Sequence, residues 1–352
     1  MEFESIAALE LGDVYSESGG QLWTLDWHPR GELIACAGAS RKIDLIARRP
    51  VFNDAPERWT KVATLDGVHD GTIRTVAWSP CGRYLASCSF DGTTAIWQHV
   101  DACEEGDYGG VFRADEFECV AQLEGHKSEV KCVAWSPCGT LLATCSRDHT
   151  ILLWEVEDDE VDCLAVLEGH SQDVKSVLFL STGMLLSTSY DGSFRVWRCA
   201  DEDSARDEWY QHQTLQVPES DKATVWSAAK SRDDAESVAV CDAKGRVAVC
   251  TWQLSPSTGD RHLKVTTSLP VSQRELFSLD FNGQGALLCS GADDALRVLR
   301  PLDSDNALLA EQACAHAQDI NCARFSPVSD DVVASCGDDG FLRIWRLQPH
   351  QQ

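Results

Sequence analysis

One unit of residues governs what this chain can fold into: TIRTVAWSPCGRYLASCSFDGTTAIW, ending at Trp97, returns nearly intact as EVKCVAWSPCGTLLATCSRDHTILLW, ending at Trp154. Aligned on its closing position the unit occurs seven times, with Ile46, Trp97, Trp154, Trp197, Cys250, Leu299 and Trp345 in that slot, 43 to 57 residues apart. The shortest spacing is that of a four-stranded propeller blade of roughly 40 to 45 residues, and the longer ones carry insertions. Inside a unit the apolar runs are short and strand-like, as in Val76-Ala77-Trp78, Tyr84-Leu85-Ala86 and Thr94-Ala95-Ile96-Trp97. They are punctuated by the turn signals Pro80-Cys81-Gly82 and Asp91-Gly92. No stretch asks for a long helix.

Seven units in 352 residues leave almost nothing over, so residues 1–352 are expected to form a single all-β domain, a seven-bladed β-propeller. Radial repetition accounts for a length that would otherwise suggest two domains or more, because each blade covers its neighbour's face. The apolar stretch 6–11 precedes the first unit. It is expected to supply the outer strand of the last blade, beside the strand ending at Trp345, and so to latch the ring shut.

Four units carry a His, a Ser or Thr, an Asp and a Trp at nearly constant offsets: His69, Ser87, Asp91, Trp97; His126, Thr144, Asp148, Trp154; His170, Ser187, Asp191, Trp197; His316, Ser335, Asp339, Trp345. Each quartet alone looks like a hydrolase triad. A nucleophile needs its base once per active site, however, whereas four copies in equivalent places of a repeat are what a structural hydrogen-bond network requires. In that reading the Asp caps a tight turn, the His bridges the preceding loop to it, and the hydroxyl and indole complete the chain. On these residues the chain resembles the Trp-Asp repeat propeller family along essentially its whole length. Three units depart from the pattern. Ser40 stands where Asp is expected in the first; Lys244 does so in the fifth, with Cys250 in the Trp slot; the sixth keeps Asp293 but ends in Leu299. Those blades are expected to rest mainly on apolar packing.

A formal charge of −26 argues against nucleic acid or an anionic membrane as the main partner, since both reward Lys and Arg. Acidic residues gather in 101–118, 155–162 and 201–208, each just after a blade's Trp strand, where they are expected to form solvated loops between third and fourth strands. The sixteen cysteines include no C-x-x-C pair. They recur at equivalent slots instead: Cys88, Cys145 and Cys336 three residues before the turn Asp, Cys81 and Cys138 in the Pro-Cys-Gly turn, Cys132 and Cys322 in the first strand. Cysteine is therefore expected to act as a small buried hydrophobe and no metal site or cofactor is expected. Free thiols suit a reducing compartment, MEFESIAALE lacks the basic and apolar regions of a signal peptide, and no run reaches the ~18 apolar residues of a membrane span. A cytoplasmic location follows as the expectation, with the nucleus also compatible.

Function in a propeller lives on the face reached by the loop before the first strand and the turn after the second. One ring of residues there follows the apolar residue that opens each first strand: Trp23, Arg74, Lys131, Lys175, Trp226, Phe277 and Asn321. A second ring precedes the turn Asp or its replacement: Ala39, Phe90, Arg147, Tyr190, Ala243, Ala292 and Asp338. Together they place Arg74, Lys131, Arg147 and Lys175 on blades two to four beside Phe90, Tyr190 and Trp226, a basic spot with aromatic walls in an acidic molecule. Arg and aromatic residues anchor interfaces, so a partner segment carrying acidic and aromatic groups is expected to dock there. The plainer alternative is that each cation balances an acid of its own blade, such as Glu129 or Asp173. No Gly-rich phosphate loop, metal-ligand spacing or solitary nucleophile with a placed base points to catalysis.

Several strings go beyond the general repeat: RTVAWSPCG, LASCSFDGTTAIW, FECVAQLEGHKSEVKCVAWSP, LLATCSRD, CLAVLEGHSQDVKSV and TVWS at Thr224. They resemble the WD-repeat subunits of cytosolic iron-sulfur protein assembly targeting complexes, above all over blades two to four. That resemblance implies a scaffold without a cluster of its own. With a small α/β subunit and a large helical-repeat adaptor it would hand preassembled clusters to apo client proteins in cytosol and nucleus. The family's exposed arginine of the CSRD turn falls on Arg147, and its clients can end in an aromatic residue with an acidic neighbour. The alternative is a WD-repeat substrate receptor of a ubiquitin ligase that reads acidic or phosphorylated peptides with the same cations. Such a receptor usually brings an extra adaptor-binding segment, which is not expected outside the ring here.

Overall fold

The computed structural model describes residues 1–12, 20–49, 58–99, 117–157, 160–203, 205–206, 208–232, 237–255, 259–301 and 307–349. Among them twenty-eight strands, β1 to β28, form seven four-stranded antiparallel sheets, and no helix is present. The seven-bladed propeller expected from the repeat is the fold observed. Six sheets take their strands in chain order, whereas the seventh has the order β1-β28-β27-β26. Strand β1 (Glu2–Glu10) therefore covers β28 (Phe341–Gln348), with β27 (Val332–Gly337) and β26 (Ile320–Phe325) inside it, and closes the ring. This strand starts at Glu2, four residues before the expected 6–11. An outer strand needs only a backbone ladder on one side; Phe3, edge-on to the Trp345 ring at 6.2 Å, and the partly buried Ile6, Ala7 and Leu9 anchor it to the core.

The innermost strands line a central channel: β2 (Leu22–Trp27), β6 (Ile73–Trp78), β10 (Val130–Trp135), β14 (Val174–Ser181), β18 (Val225–Lys230), β22 (Leu276–Phe281) and β26. Every one of them carries a bulge after its first paired residue, where the ladder passes from Leu22 to Thr24, Ile73 to Thr75, Val130 to Cys132, Val174 to Ser176, Val225 to Ser227, Leu276 to Ser278 and Ile320 to Cys322. The skipped residue leaves the pleat's alternation and is carried to the rim of the channel.

Two residues past the opening position, a small polar side chain recurs in all seven units, and in five of them it staples its blade to the next. Thr24 accepts from Val76 N at 3.2 Å, and Thr75 donates to Lys131 O at 3.0 Å. Cys132 donates to Val177 O at 3.8 Å, Ser278 to Ala323 O at 3.3 Å and Cys322 to Leu25 O at 3.6 Å. Cys132 and Cys322 are thus donors across blade boundaries, a correction to their reading as plain hydrophobes. Between blades the core is continuous; Leu141, Leu153 and Leu185, for example, pack with Trp197 and Phe179.

Two further expectations are corrected. Within the acidic stretch 155–162, Glu155 pairs with Asp162 and Glu157 with Glu160 across a ladder, so much of it is strand rather than loop. Most of 101–118 lies outside the described residues. In the fifth blade Lys244 stands in the turn-Asp place, but the turn is not left to apolar packing. Fully buried Asp242, two residues earlier, accepts from Lys244 N and Arg246 N, both at 2.9 Å, and from the Ser220 hydroxyl.

Candidate functional site: the cationic and aromatic rim

The rim is held up by the four polar quartets. In the second blade the Trp97 indole donates to Ser87 Oγ at 2.9 Å, Ser87 Oγ lies 2.8 Å from His69 Nε2, and His69 Nδ1 lies 3.3 Å from Asp91 Oδ2. The same chain runs through Trp154, Thr144, His126 and Asp148 at 2.9, 2.9 and 3.0 Å. It recurs through Trp197, Ser187, His170 and Asp191 at 2.9, 2.7 and 2.9 Å, and through Trp345, Ser335, His316 and Asp339 at 2.9, 2.7 and 2.8 Å. An indole can only donate, so the hydroxyl turns its own hydrogen to Nε2 and the imidazole gives its Nδ1 hydrogen to the carboxylate. Burial lowers the His126 and His170 pKa values, in keeping with neutral rings. Against the desolvation that opposes it, hydrogen bonds from His and from the residue two positions on hold Asp91 and Asp191 well below the ordinary carboxylate range. In all four blades the hydroxyl is spent as a relay inside the sheet, so none of these four hydroxyls faces solvent as a nucleophile.

The seven bulged residues are Trp23, Arg74, Lys131, Lys175, Trp226, Phe277 and Asn321. Around the rim, cations and rings alternate across blade boundaries. The Arg74 guanidinium lies 5.2 Å from the Trp23 centroid, and Trp23 meets Phe90 edge-on at 6.3 Å. Lys131 Nζ sits 4.1 Å from the Phe90 centroid, Lys175 Nζ 5.0 Å from Tyr190 and 5.1 Å from Trp226, and Trp226 meets Phe277 at 5.3 Å. Six of the expected site residues, Arg74, Lys131, Lys175, Phe90, Tyr190 and Trp226, are therefore brought into one band, with Trp23 and Phe277 at its ends. Stacked on rings and partly desolvated, Lys131 has a lowered pKa, burial being the main cause.

Arg147 stands slightly apart on the turn, with its side chain 59% exposed and its guanidinium 3.0 Å from Glu129. Glu129 is pulled down to about 2 by the Ser128 hydroxyl, with Arg147 and Lys131 adding to the effect. Lys175 likewise lies 3.3 Å from Asp173. Own-blade charge balance is thus real for Arg147 and Lys175, but it coexists with the ring contacts. Tyr190 is 51% exposed, and the Trp226 indole nitrogen is buried with no hydrogen-bond partner among the described residues.

Across the mouth the field reverses. Asn321 donates to Asp338 at 2.7 Å and to Leu22 O at 2.9 Å, while Asp319 has a raised pKa, chiefly from burial, with Asp338, Asp294 and Asp293 adding to it against the opposing charge of Arg274. Sequence reading missed this asymmetry, and it missed Asp242 and the inner belt of hydroxyls and thiols. The belt was detectable as a small polar residue at one fixed offset in all seven units.

A seven-bladed ring with His, Ser or Thr, Asp and Trp relays in four blades defines a WD-repeat propeller protein. The family described as WD domain, G-beta repeat matches residues 59–98, 117–155, 161–198 and 310–346, the segments that hold the four complete quartets. Over longer spans the chain is 34% identical to a protein of Culex quinquefasciatus called probable cytosolic iron-sulfur protein assembly protein Ciao1, covering 94% of this chain and 95% of that one. It is 32% identical to the Kluyveromyces lactis probable cytosolic iron-sulfur protein assembly protein 1, over 97% and 99% of the two chains. It is also 34% identical to a Schizosaccharomyces japonicus probable cytosolic Fe-S cluster assembly factor over 98% of this chain, but it spans only about half, 54%, of that relative's length. The chain belongs to the family of cytosolic iron-sulfur protein assembly protein 1.

Proposed function

We propose that this protein is a non-catalytic scaffold of cytosolic iron-sulfur protein assembly, and that the rim over blades two to four docks a partner segment bearing acidic and aromatic side chains. The observation that carries this reading is the alternation of Arg74, Lys131 and Lys175 with Trp23, Phe90, Tyr190 and Trp226, in a chain whose net charge is −26. Each ring holds a cation at a fixed height, so a carboxylate meets donors that lose little freedom on binding, while an aromatic side chain finds edges and faces already desolvated.

The partners are the small α/β subunit and the large helical-repeat adaptor of the targeting complex, together with apo iron-sulfur client proteins, whose clusters pass as cargo. The protein acts in the cytoplasm and, with nuclear clients, in the nucleus. The iron-sulfur assembly role in the names of all three relatives supports this reading, and no observation favours a ubiquitin-ligase receptor. Affinity purification from cells followed by mass spectrometry tests it. Recovery of iron-sulfur enzymes and the two assembly subunits by wild type, and their loss with Arg147→Glu and Lys131→Glu, is the expected result. Cullin-type ligase components in their place would overturn it.

A further inference from the structure

In each blade, the small polar residue just past the bulge is opposed across the ladder by one residue of the second strand. The pairs are Thr24 with Ala37, Thr75 with Cys88, Cys132 with Cys145, Ser176 with Thr188, Ser227 with Cys241, Ser278 with Ser290 and Cys322 with Cys336. In blade four the two side chains of this slot touch, Ser176 Oγ and Thr188 Oγ1 being 2.9 Å apart. Blades three and seven alone fill both places with cysteine. Directly opposed residues of an antiparallel pair have Cα atoms about 4.5 to 5.5 Å apart, within the roughly 4.4 to 6.8 Å that a disulfide spans.

The two dithiols differ in access. Cys132 is half-buried and lines the central channel, a cavity of about 360 Å³ that it shares with Thr75, Ser176 and Ser227. Cys322 is 6% exposed, and its thiol has a raised pKa from burial, as has that of Cys336. The Cys132 thiol is instead held below its ordinary range, first by a hydrogen bond from Cys145 and further by the Arg74 and Arg324 charges. Cys145, fully buried, has its pKa kept high by burial, and its thiol also reaches Val174 O at 3.5 Å.

We propose that Cys132 and Cys145 form a peroxide-sensitive dithiol, oxidised through the channel to a cross-strand disulfide. The Cys132 thiolate attacks one oxygen of hydrogen peroxide; the O–O bond breaks, and the departing hydroxide takes a proton and leaves as water. Cys132 is then a sulfenic acid. Cys145 loses its proton as its sulfur attacks Cys132 Sγ, the S–O bond breaks, and hydroxide leaves with that proton as a second water. The two thiols give up two electrons, which the peroxide takes. The competing surface thiol is Cys138, pulled down to about 7, but its neighbours at 3.2 and 3.0 Å are the hydroxyls of Ser136 and Thr140 rather than a second sulfur.

Oxidation reaches the rim because Cys132 immediately follows the bulged Lys131. The disulfide removes the hydrogen that Cys132 gives to Val177 O of blade four, and it pulls on the turn of chain that holds Lys131 over Phe90. This second consequence rests on the docking role proposed above; the bond itself does not.

The test treats the intact reduced protein with a small excess of hydrogen peroxide at neutral pH, alkylates the remaining thiols and digests with trypsin. Residues 132–147 fall in one tryptic peptide, so the bond appears as a loss of two hydrogens with Cys138 as that peptide's one alkylated sulfur. Cys322 and Cys336 are expected to stay reduced. Cys145→Ser, which places a hydroxyl where Thr188 already sits in blade four, is expected to let dimedone trap the Cys132 sulfenic acid. Alkylation of both Cys132 and Cys145 after peroxide, or equally fast linkage of Cys322 to Cys336, overturns the proposal. Titration with a fluorescent peptide of alternating Glu and Trp reads the rim, with about fivefold weaker binding expected after oxidation, restored by dithiothreitol. Unchanged affinity with the disulfide in place overturns the coupling. No binding even by the reduced protein counts against the docking role, and the mass spectrum still decides the dithiol.

Discussion

Lys131 Nζ of blade three lies 4.1 Å from the centre of the Phe90 ring of blade two, so a cation from one sheet is seated on an aromatic face of the next. The contact crosses a blade boundary and ties the geometry of the rim to the packing of the ring beneath it. Lys131→Glu is expected to weaken partner binding by ~1 to 3 kcal/mol, the size of a charge-assisted contact, with little change in melting temperature. Arg147→Glu is expected to act likewise, adding repulsion from Glu129, whereas Glu129→Gln releases Arg147 and leaves binding equal or tighter. Calorimetric titration with a purified client or adaptor checks the set; identical affinities for wild type and both charge reversals would remove the rim from the interface.

Asp148→Ala is expected to cost ~2 to 4 kcal/mol of stability. Asp148 accepts from Lys127 N at 2.8 Å, Thr150 N at 3.0 Å, Thr150 Oγ1 at 2.7 Å and His126 Nδ1 at 3.0 Å, and its loss leaves these donors without their acceptor. Denaturant unfolding measures this, and a wild-type midpoint for the variant would refute the structural role.

The fifth blade makes a sharper comparison. Asp242→Ala is expected to destabilise by ~2 to 4 kcal/mol, because a fully buried acceptor of two backbone amides is removed. Lys244, which occupies the turn-Asp position of the repeat, has an exposed partner in Asp221 at 3.7 Å, and Lys244→Ala is expected to stay within ~0.5 kcal/mol. The opposite order in thermal melts would restore Lys244 to the structural role.

Acid response should turn on His28 and Asp26. Burial pushes His28 down to about 4, so between about pH 6.5 and 4 the unfolded chain binds a proton that the folded chain does not. Stability is lost as pH falls through that window, by up to ~3 kcal/mol. Asp26 is pushed up to about 6, chiefly by burial, and below that pH the folded chain holds a proton that the unfolded chain lacks until about pH 4. Its contribution to stability therefore grows as pH falls and offsets that of His28. Asp26→Asn is expected to lose stability more steeply than wild type between about pH 6.5 and 4.5 in urea unfolding. Parallel curves would show that Asp26 does not supply the offset.

The propeller, its blade number and its closing strand were legible because a repeat imposes the same local demands seven times over, and errors in one unit are outvoted by the others. The His, Asp and Trp offsets were legible for the same reason, since Ser87, Thr144, Ser187 and Ser335 hold one geometry in four blades. Asp242 escaped notice because it fills a function from a different register position, and a template aligned by offset sees only Lys244 in the expected place.

From residue order alone come the period, the number of spokes, the polar quartets, and the fact that Arg74, Lys131, Lys175 and Trp226 share one position of the repeat. Bringing Lys131 against Phe90, Lys175 against Trp226, and Cys132 to the channel while Cys322 stays sealed was the work of the closed ring. Those contacts join different blades or depend on how far each inner strand opens to solvent, and neither follows from spacing along a chain. Both arise when seven sheets meet around one axis.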